Sequence, residues 1–163
     1  MVHITLIYAG LLGLLFLGLS FWVVRRRAQF GVMIGQGEAP ELLAAIRAHG
    51  NFAEYVPLTL LLMALCELSG AGALWLHAGG AMLLVGRILH AIGIQIPKAP
   101  NVPRFLGTLL FWLALGLFSL LALLQGMAAA RKPTLFYAIE PPRAGWFLYG
   151  EKANVLPCKP CLY

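Results

Sequence analysis

Long apolar runs alternate with short polar breaks along this chain. Ile4 to Val24 holds 21 residues without a charge, enough for a helix to cross about 30 Å of hydrocarbon. Arg25-Arg26-Arg27 follows at once. Ala28 to Ala39 is a glycine-containing break. Pro40 and Glu41 then suit a helix start, since proline fits a first turn and an acid complements the positive end of the helix dipole. The second apolar segment runs from about Pro40 to Leu68 and stops at Ser69-Gly70, and Pro57 predicts a kink inside it. A third covers about Ala73 to Ile94. After the proline-rich stretch Ile96 to Pro103, a fourth covers about Phe105 to Met127, introduced by Arg104. The pattern predicts helices over about residues 3–25, 40–68, 73–94 and 104–128, in one domain over 1–130, with a different kind of sequence over 131–163.

Composition turns that pattern into a class. A hydrophobic share of 61% and a charged share of 11%, with a mean hydropathy of +0.84, exclude an ordinary soluble domain. The expected fold is an all-α membrane protein, a bundle of four transmembrane helices. The first run is too long for a signal-peptide core, lacks a basic leader and meets the arginine triplet directly, so a retained span is expected. A net charge of +6 does not imply nucleic acid here, because the basic residues sit where apolar segments end. That is the pattern of cytoplasmic anchoring. Arg25, Arg26, Arg27, Lys98 and Arg104 then face the cytoplasm of an inner membrane, against Arg131 and Lys132 outside, and both termini are periplasmic. Of the three cysteines, Cys66 reads as a small buried hydrophobe, and the Cys158/Cys161 pair lacks the second pair that a metal site needs.

Within the second segment, Arg47, Asn51 and Glu54 stand at i, i+4 and i+7, on one helical face. Ionisable groups at membrane depth are costly and are usually functional and partnered. The topology places Arg87 and His90 of the third segment, the arginine triplet and Arg104 at the same level. Arginine forks recognise carboxylates and phosphates, Glu54 can receive an ammonium, and Asn51 can donate and accept together. The set suits a small zwitterionic or polyanionic ligand arriving from the cytosol, with an apolar ligand entering from lipid. The plainer alternative is an Arg47–Glu54 ion pair that fixes packing, with Arg87 reaching to the interface. His49 lies off the main face, toward a neighbouring helix or subunit, and His77 is interfacial. A metal site from His49, His90 and Glu54 has no ligand-spacing motif behind it.

These residues resemble the MAPEG family, the membrane-associated proteins in eicosanoid and glutathione metabolism. Arg47-Ala48-His49-Gly50-Asn51-Phe52-Ala53-Glu54-Tyr55-Val56-Pro57-Leu58 is similar to the family's second-helix signature in its bacterial form. Gly86-Arg87-Ile88-Leu89-His90-Ala91-Ile92-Gly93 is similar to its third-helix motif, and Arg27 to Val32 to its first loop. The resemblance implies a homotrimer that binds glutathione between subunits near the cytoplasmic face, with the thiol directed at lipid-borne electrophiles. By position, Arg47, Asn51, Glu54 and Tyr55 hold glutathione from the second helix, and Arg87 and His90 from the third. Arg26 or Arg27 meets a glutathione carboxylate. Arg104 falls in the region of a thiolate-stabilising arginine, a role that suits a cation because it raises the reactive thiolate fraction. The chain departs from a pattern in which family members often carry tyrosine at the position of Ile94 and some at that of Ile92, and the tail has no family counterpart. The expected function is a glutathione-dependent membrane transferase or peroxidase acting on hydrophobic electrophiles or lipid hydroperoxides. The alternatives are a non-catalytic lipid-binding scaffold and a small transporter. The polar groups gather on one side of the membrane only, which argues against transport.

Overall fold

A computed structural model describes residues 2–98 and 100–131. The expectations for the tail beyond Arg131, including Lys132 and the Cys158/Cys161 pair, fall outside these described residues. The chain forms four helices: α1 (His3–Phe30), α2 (Pro40–Leu68), α3 (Ala73–Ile94) and α4 (Val102–Arg131). All four are long and apolar enough to cross a membrane, and no strand occurs among the described residues.

Three helix ends differ from the sequence-based expectation: α4 runs on past 128 to Arg131, and the other two have a local reason. α1 continues to Phe30, so the arginine triplet lies in its last turns and not beyond it. Gly31 ends it in the left-handed region at φ 64°, its N–H returning to the Arg27 carbonyl, a conformation that glycine adopts without a Cβ penalty. At 28 residues α1 is roughly 42 Å long, well beyond the hydrocarbon thickness, which carries the arginines out of the apolar layer. α4 begins at Val102 because Asn101 caps it: Asn101 Oδ1 accepts the Arg104 N–H at 3.0 Å, the N-cap pattern. Asn101 Nδ2 also donates to the Gly93 carbonyl at 3.0 Å, so one side chain ties the end of α3 to the start of α4. α2 runs through Pro57 as one helix.

The helices alternate in direction. At one end of the bundle the Glu67 carboxylate of α2 accepts the backbone N–H groups of Ile4 and Thr5, each at 2.8 Å, and the Thr5 hydroxyl at 2.6 Å. The first turn of α1 has no acid of its own, and Glu67 supplies the acceptors its orphan donors need. Beside it the Tyr8 hydroxyl donates to the His77 carbonyl of α3 at 3.1 Å. The other end gathers the described arginines other than Arg131.

Lipid removes the hydrophobic incentive for helices to associate, so close van der Waals packing must hold them. Glycines in α3 provide it. The Tyr8 ring of α1 covers Gly80, where a Cβ would fall 2.5 Å from it, and Phe118 of α4 covers Gly79. Toward the arginine end Gly86 meets the Gly107 carbonyl of α4, and Gly93 lies directly on the backbone of Arg104. From α4, a Cβ at Gly107 would come within 2.5 Å of the His90 nitrogen.

Gly93→Ala drives a methyl group into backbone, which cannot rotate away, and is expected to lower stability by about 1–3 kcal/mol. Gly10→Ala places its methyl in open space and is expected to be neutral or stabilising by about 0.5–1 kcal/mol. Chemical unfolding in detergent micelles checks both. Equal effects at the two sites would show that the α3–α4 approach is not a constraint.

Candidate functional site

The face predicted on α2 exists, and it forms one wall of a groove. Arg47, Asn51 and Glu54 line a cavity of about 360 Å³ together with Gly50, and Arg27 of α1 closes it with Gly35 and Gln36 of the following loop. Arg27 also shapes that loop. Its Nη1 donates to the carbonyls of Met33 at 3.2 Å and Gly35 at 2.9 Å, which folds the chain back over the groove mouth. Arg47 and Glu54 are exposed, and Asn51 is half-buried. Two turns separate Arg47 from Glu54, so both are available to a ligand lying along the helix.

His49 turns the other way, onto α1. The Ser20 hydroxyl donates to the Phe16 carbonyl at 2.9 Å, which leaves its oxygen as acceptor for His49 Nε2 at 3.0 Å. The imidazole stacks on Phe16 with centroids 4.5 Å apart. This contact holds α2 in register with α1 while the groove residues face outward.

Arg87 does not line the groove. Only 3% exposed, it lies inside the bundle with its guanidinium 4.4 Å from the centre of the Phe111 ring and 5.9 Å from that of Tyr55. The two rings touch at 5.1 Å, so one cation joins α3, α4 and α2. Its Nε has no hydrogen-bond partner among the described residues. Cation–π attraction strengthens as water is removed, and here it stands in place of a counter-charge. His90, nearly one turn on, is half-buried. Its backbone packs against Gly107 of α4.

The remaining candidates occupy separate surfaces. Arg26 lines a cavity on α1 with Arg25 and Trp22. Arg104 lines another, of about 610 Å³, whose walls are Phe105, Thr108, Leu109 and Trp112. Within the chain the structure therefore joins Arg27, Arg47, Asn51 and Glu54, connects Tyr55 to Arg87, and leaves Arg26 and Arg104 apart. Among the described residues no three His, Cys, Asp or Glu side chains gather as metal ligands would.

A model of the MAPEG family matches residues 5–124. The chain belongs to the MAPEG family. The inner membrane protein YecN of Escherichia coli (strain K12) is 43% identical over 92 residues, which covers 56% of this chain and 70% of that protein. YecN from a second Escherichia coli strain, O6:H1, matches to the same extent. No solved structure matches. The matched region takes in all four helices, so the membrane bundle is that of a MAPEG protein. Of the two isoleucines that the resemblance singled out, Ile94 packs against the apolar core and Ile92 is exposed. Neither brings a hydroxyl near His90.

Sequence reasoning missed three features of this structure, each with a visible signal. Gly50 belongs to the groove because it extends the spacing of Arg47 and Glu54 along one face. Asn101 before Val102-Pro103 is a helix-start pattern. Arg87 stands four residues after Leu83 and four before Ala91, both buried, which puts it on the interior face.

The Arg87 stack is testable by a double-mutant cycle. Arg87→Met and Phe111→Leu are expected to couple by about 1–2 kcal/mol in detergent unfolding. Additivity within roughly 0.3 kcal/mol would reduce Phe111 to a filler of volume.

Proposed function

We propose that this MAPEG protein of an inner membrane binds glutathione and turns its thiol on hydrophobic electrophiles or lipid hydroperoxides, as a membrane-bound transferase or peroxidase. The groove on α2 carries this reading. Glutathione has two carboxylates, one ammonium, two peptide bonds and a thiol. Arg27 and Arg47 match the carboxylates as guanidinium forks, Glu54 matches the ammonium, and Asn51 can pair with a peptide group in both directions. The positive-inside pattern turns the groove toward the cytoplasm, where the glutathione pool resides. Tyr55, whose ring rests against Phe111 within reach of the Arg87 charge, borders the same wall.

Assembly as a homotrimer completes the site in this reading. On α2 the residues Arg47, Asn51, Glu54, Leu58, Leu61, Leu65 and Leu68 alternate in steps of four and three, the spacing of a helix seam that packs on a partner. The four leucines are 47–64% exposed on the protomer. A polar half continuous with a leucine half suits a face shared between copies better than one bathed in lipid. A second copy can then bring Arg104 and its apolar cavity, open to lipid-borne substrate, to a groove that lacks both.

Arg104 stabilises the glutathione thiolate. The thiolate sulfur attacks an electrophilic carbon, a sulfur–carbon bond forms, and the leaving group departs with its electron pair. With a hydroperoxide the sulfur takes the distal oxygen, and the alkoxide picks up a proton and leaves as an alcohol. A second glutathione then converts the sulfenic acid to a disulfide and water. A scaffold that holds glutathione or lipid without turnover is the second reading, favoured by isoleucine at 92 and 94 in place of a hydroxyl near His90.

Calorimetry in detergent, with the assembly mass measured on the same sample, tests the groove. Arg47→Ala and Glu54→Ala are each expected to weaken glutathione binding about tenfold, roughly 1.4 kcal/mol. Unchanged binding in both variants would sink it. Arg104→Ala is expected to keep binding and to slow conjugation of chlorodinitrobenzene by on the order of a hundredfold. Binding without any conjugation in the unaltered protein would select the scaffold.

A further inference from the structure

The face of α1 turned away from the groove has its own chemistry. Phe21, Trp22, Arg25, Arg26 and Gln29 line a cavity of about 600 Å³ that reaches down the helix to Gly18. Its polarity is graded along the axis. Gln29 and the two arginines stand at the boundary, Phe21 and Trp22 come one turn deeper, and Gly18 lies about one further turn into the apolar run. Arg26 Nη1 donates to Gln29 Oε1 at 3.0 Å, which steadies the guanidinium and leaves its other N–H donors for an anion. A side chain added at Gly18 would meet nothing within 4 Å, so the missing side chain leaves an open slot beside Trp22. From the arginines to Gly18 the slot runs roughly 10–12 Å at the rise of a helix.

A free phosphate fits only the top of this surface. An amphiphile fits all of it, because the anionic head, the interfacial ring and the chain each meet a matching environment at the matching depth. We propose that this face of α1 holds an anionic phospholipid, its phosphate diester between Arg25 and Arg26 and one acyl chain in the slot at Gly18. The site uses neither α2 nor Arg27; of the two first-helix arginines considered for a glutathione carboxylate, it leaves Arg27 to the groove and assigns Arg26 to lipid.

The test uses the full chain in nanodiscs that mix phosphatidylglycerol with phosphatidylcholine, counting by native mass spectrometry the lipids that survive extraction. The unaltered protein is expected to retain phosphatidylglycerol on the order of tenfold over phosphatidylcholine, and Arg25→Gln with Arg26→Gln to erase that preference. Gly18→Leu keeps both charges and fills the slot, at a position where leucine also improves helix propensity. It is expected to cut retained phosphatidylglycerol about fourfold. Unchanged retention in both variants overturns the proposal. So does displacement of the lipid by millimolar inorganic phosphate with Gly18→Leu inert, which would mark a free-anion site. A change in assembly mass with lipid retention intact would instead seat a second copy of the chain on this face.

Discussion

The contact that the rest of this protein depends on is the approach of α3 and α4 backbone to backbone. Gly86, Gly93 and Gly107 remove the side chains that would hold the two helices apart, and in lipid only such close packing has much to offer. Once they touch, the level of every charged group on these helices is set. Gly93 rests on Arg104, Gly107 rests on His90, and Asn101 links the two helix ends across the turn. Arg87 is then directed inward, because its neighbours on α3 at Leu83 and Ala91 are already buried. A larger residue at any of these glycines displaces polar groups two helices away from the groove, through geometry alone.

The chain treats its arginines in two opposite ways. Arg87 is stripped of water and held on aromatic rings, where a charge is tolerable only because the face of a ring is electronegative. Arg27 and Arg47 stay at the edge of an open groove, with loop carbonyls engaging the first. The buried arginine needs a fixed environment and therefore serves packing. The open ones keep donors at the surface, which is what the proposed ligand requires. This division separates structure from binding more clearly than depth in the membrane does, since all three lie toward the same end of the bundle.

Much of this was legible in the chain, for physical reasons. Apolar runs of span length leave little choice but helices, and the i, i+4, i+7 spacing of Arg47, Asn51 and Glu54 places them on one face whatever surrounds them. Helix ends were harder, because hydropathy marks where a helix leaves lipid and not where it stops. α1 outlasts its apolar run by six residues, from Val24 to Phe30, because only Gly31 ends it. Arg87 and Arg104 were legible as important but not as placed. Depth along a helix follows from residue number, whereas direction around the bundle depends on which neighbours are small enough to approach. The glycines of α3 carried that information, in a pattern that hydropathy does not weigh.

The two halves of the proposed chemistry rest on different helix pairs. The ligand-facing wall is built by α1 and α2, held together through Ser20, His49 and Phe16 at one end and Glu67 at the other. The group assigned to the thiol, Arg104, belongs to α4 and is positioned by Asn101 and Gly93 of the α3–α4 turn. Ile92 and Ile94 fall in the second half only. In the proposed chemistry, isoleucine at these positions offers no hydroxyl to the thiol side and leaves the α2 groove as it is. In a bundle made this way, binding can persist while the reactivity of the thiol is tuned up or down by residues that never touch the peptide.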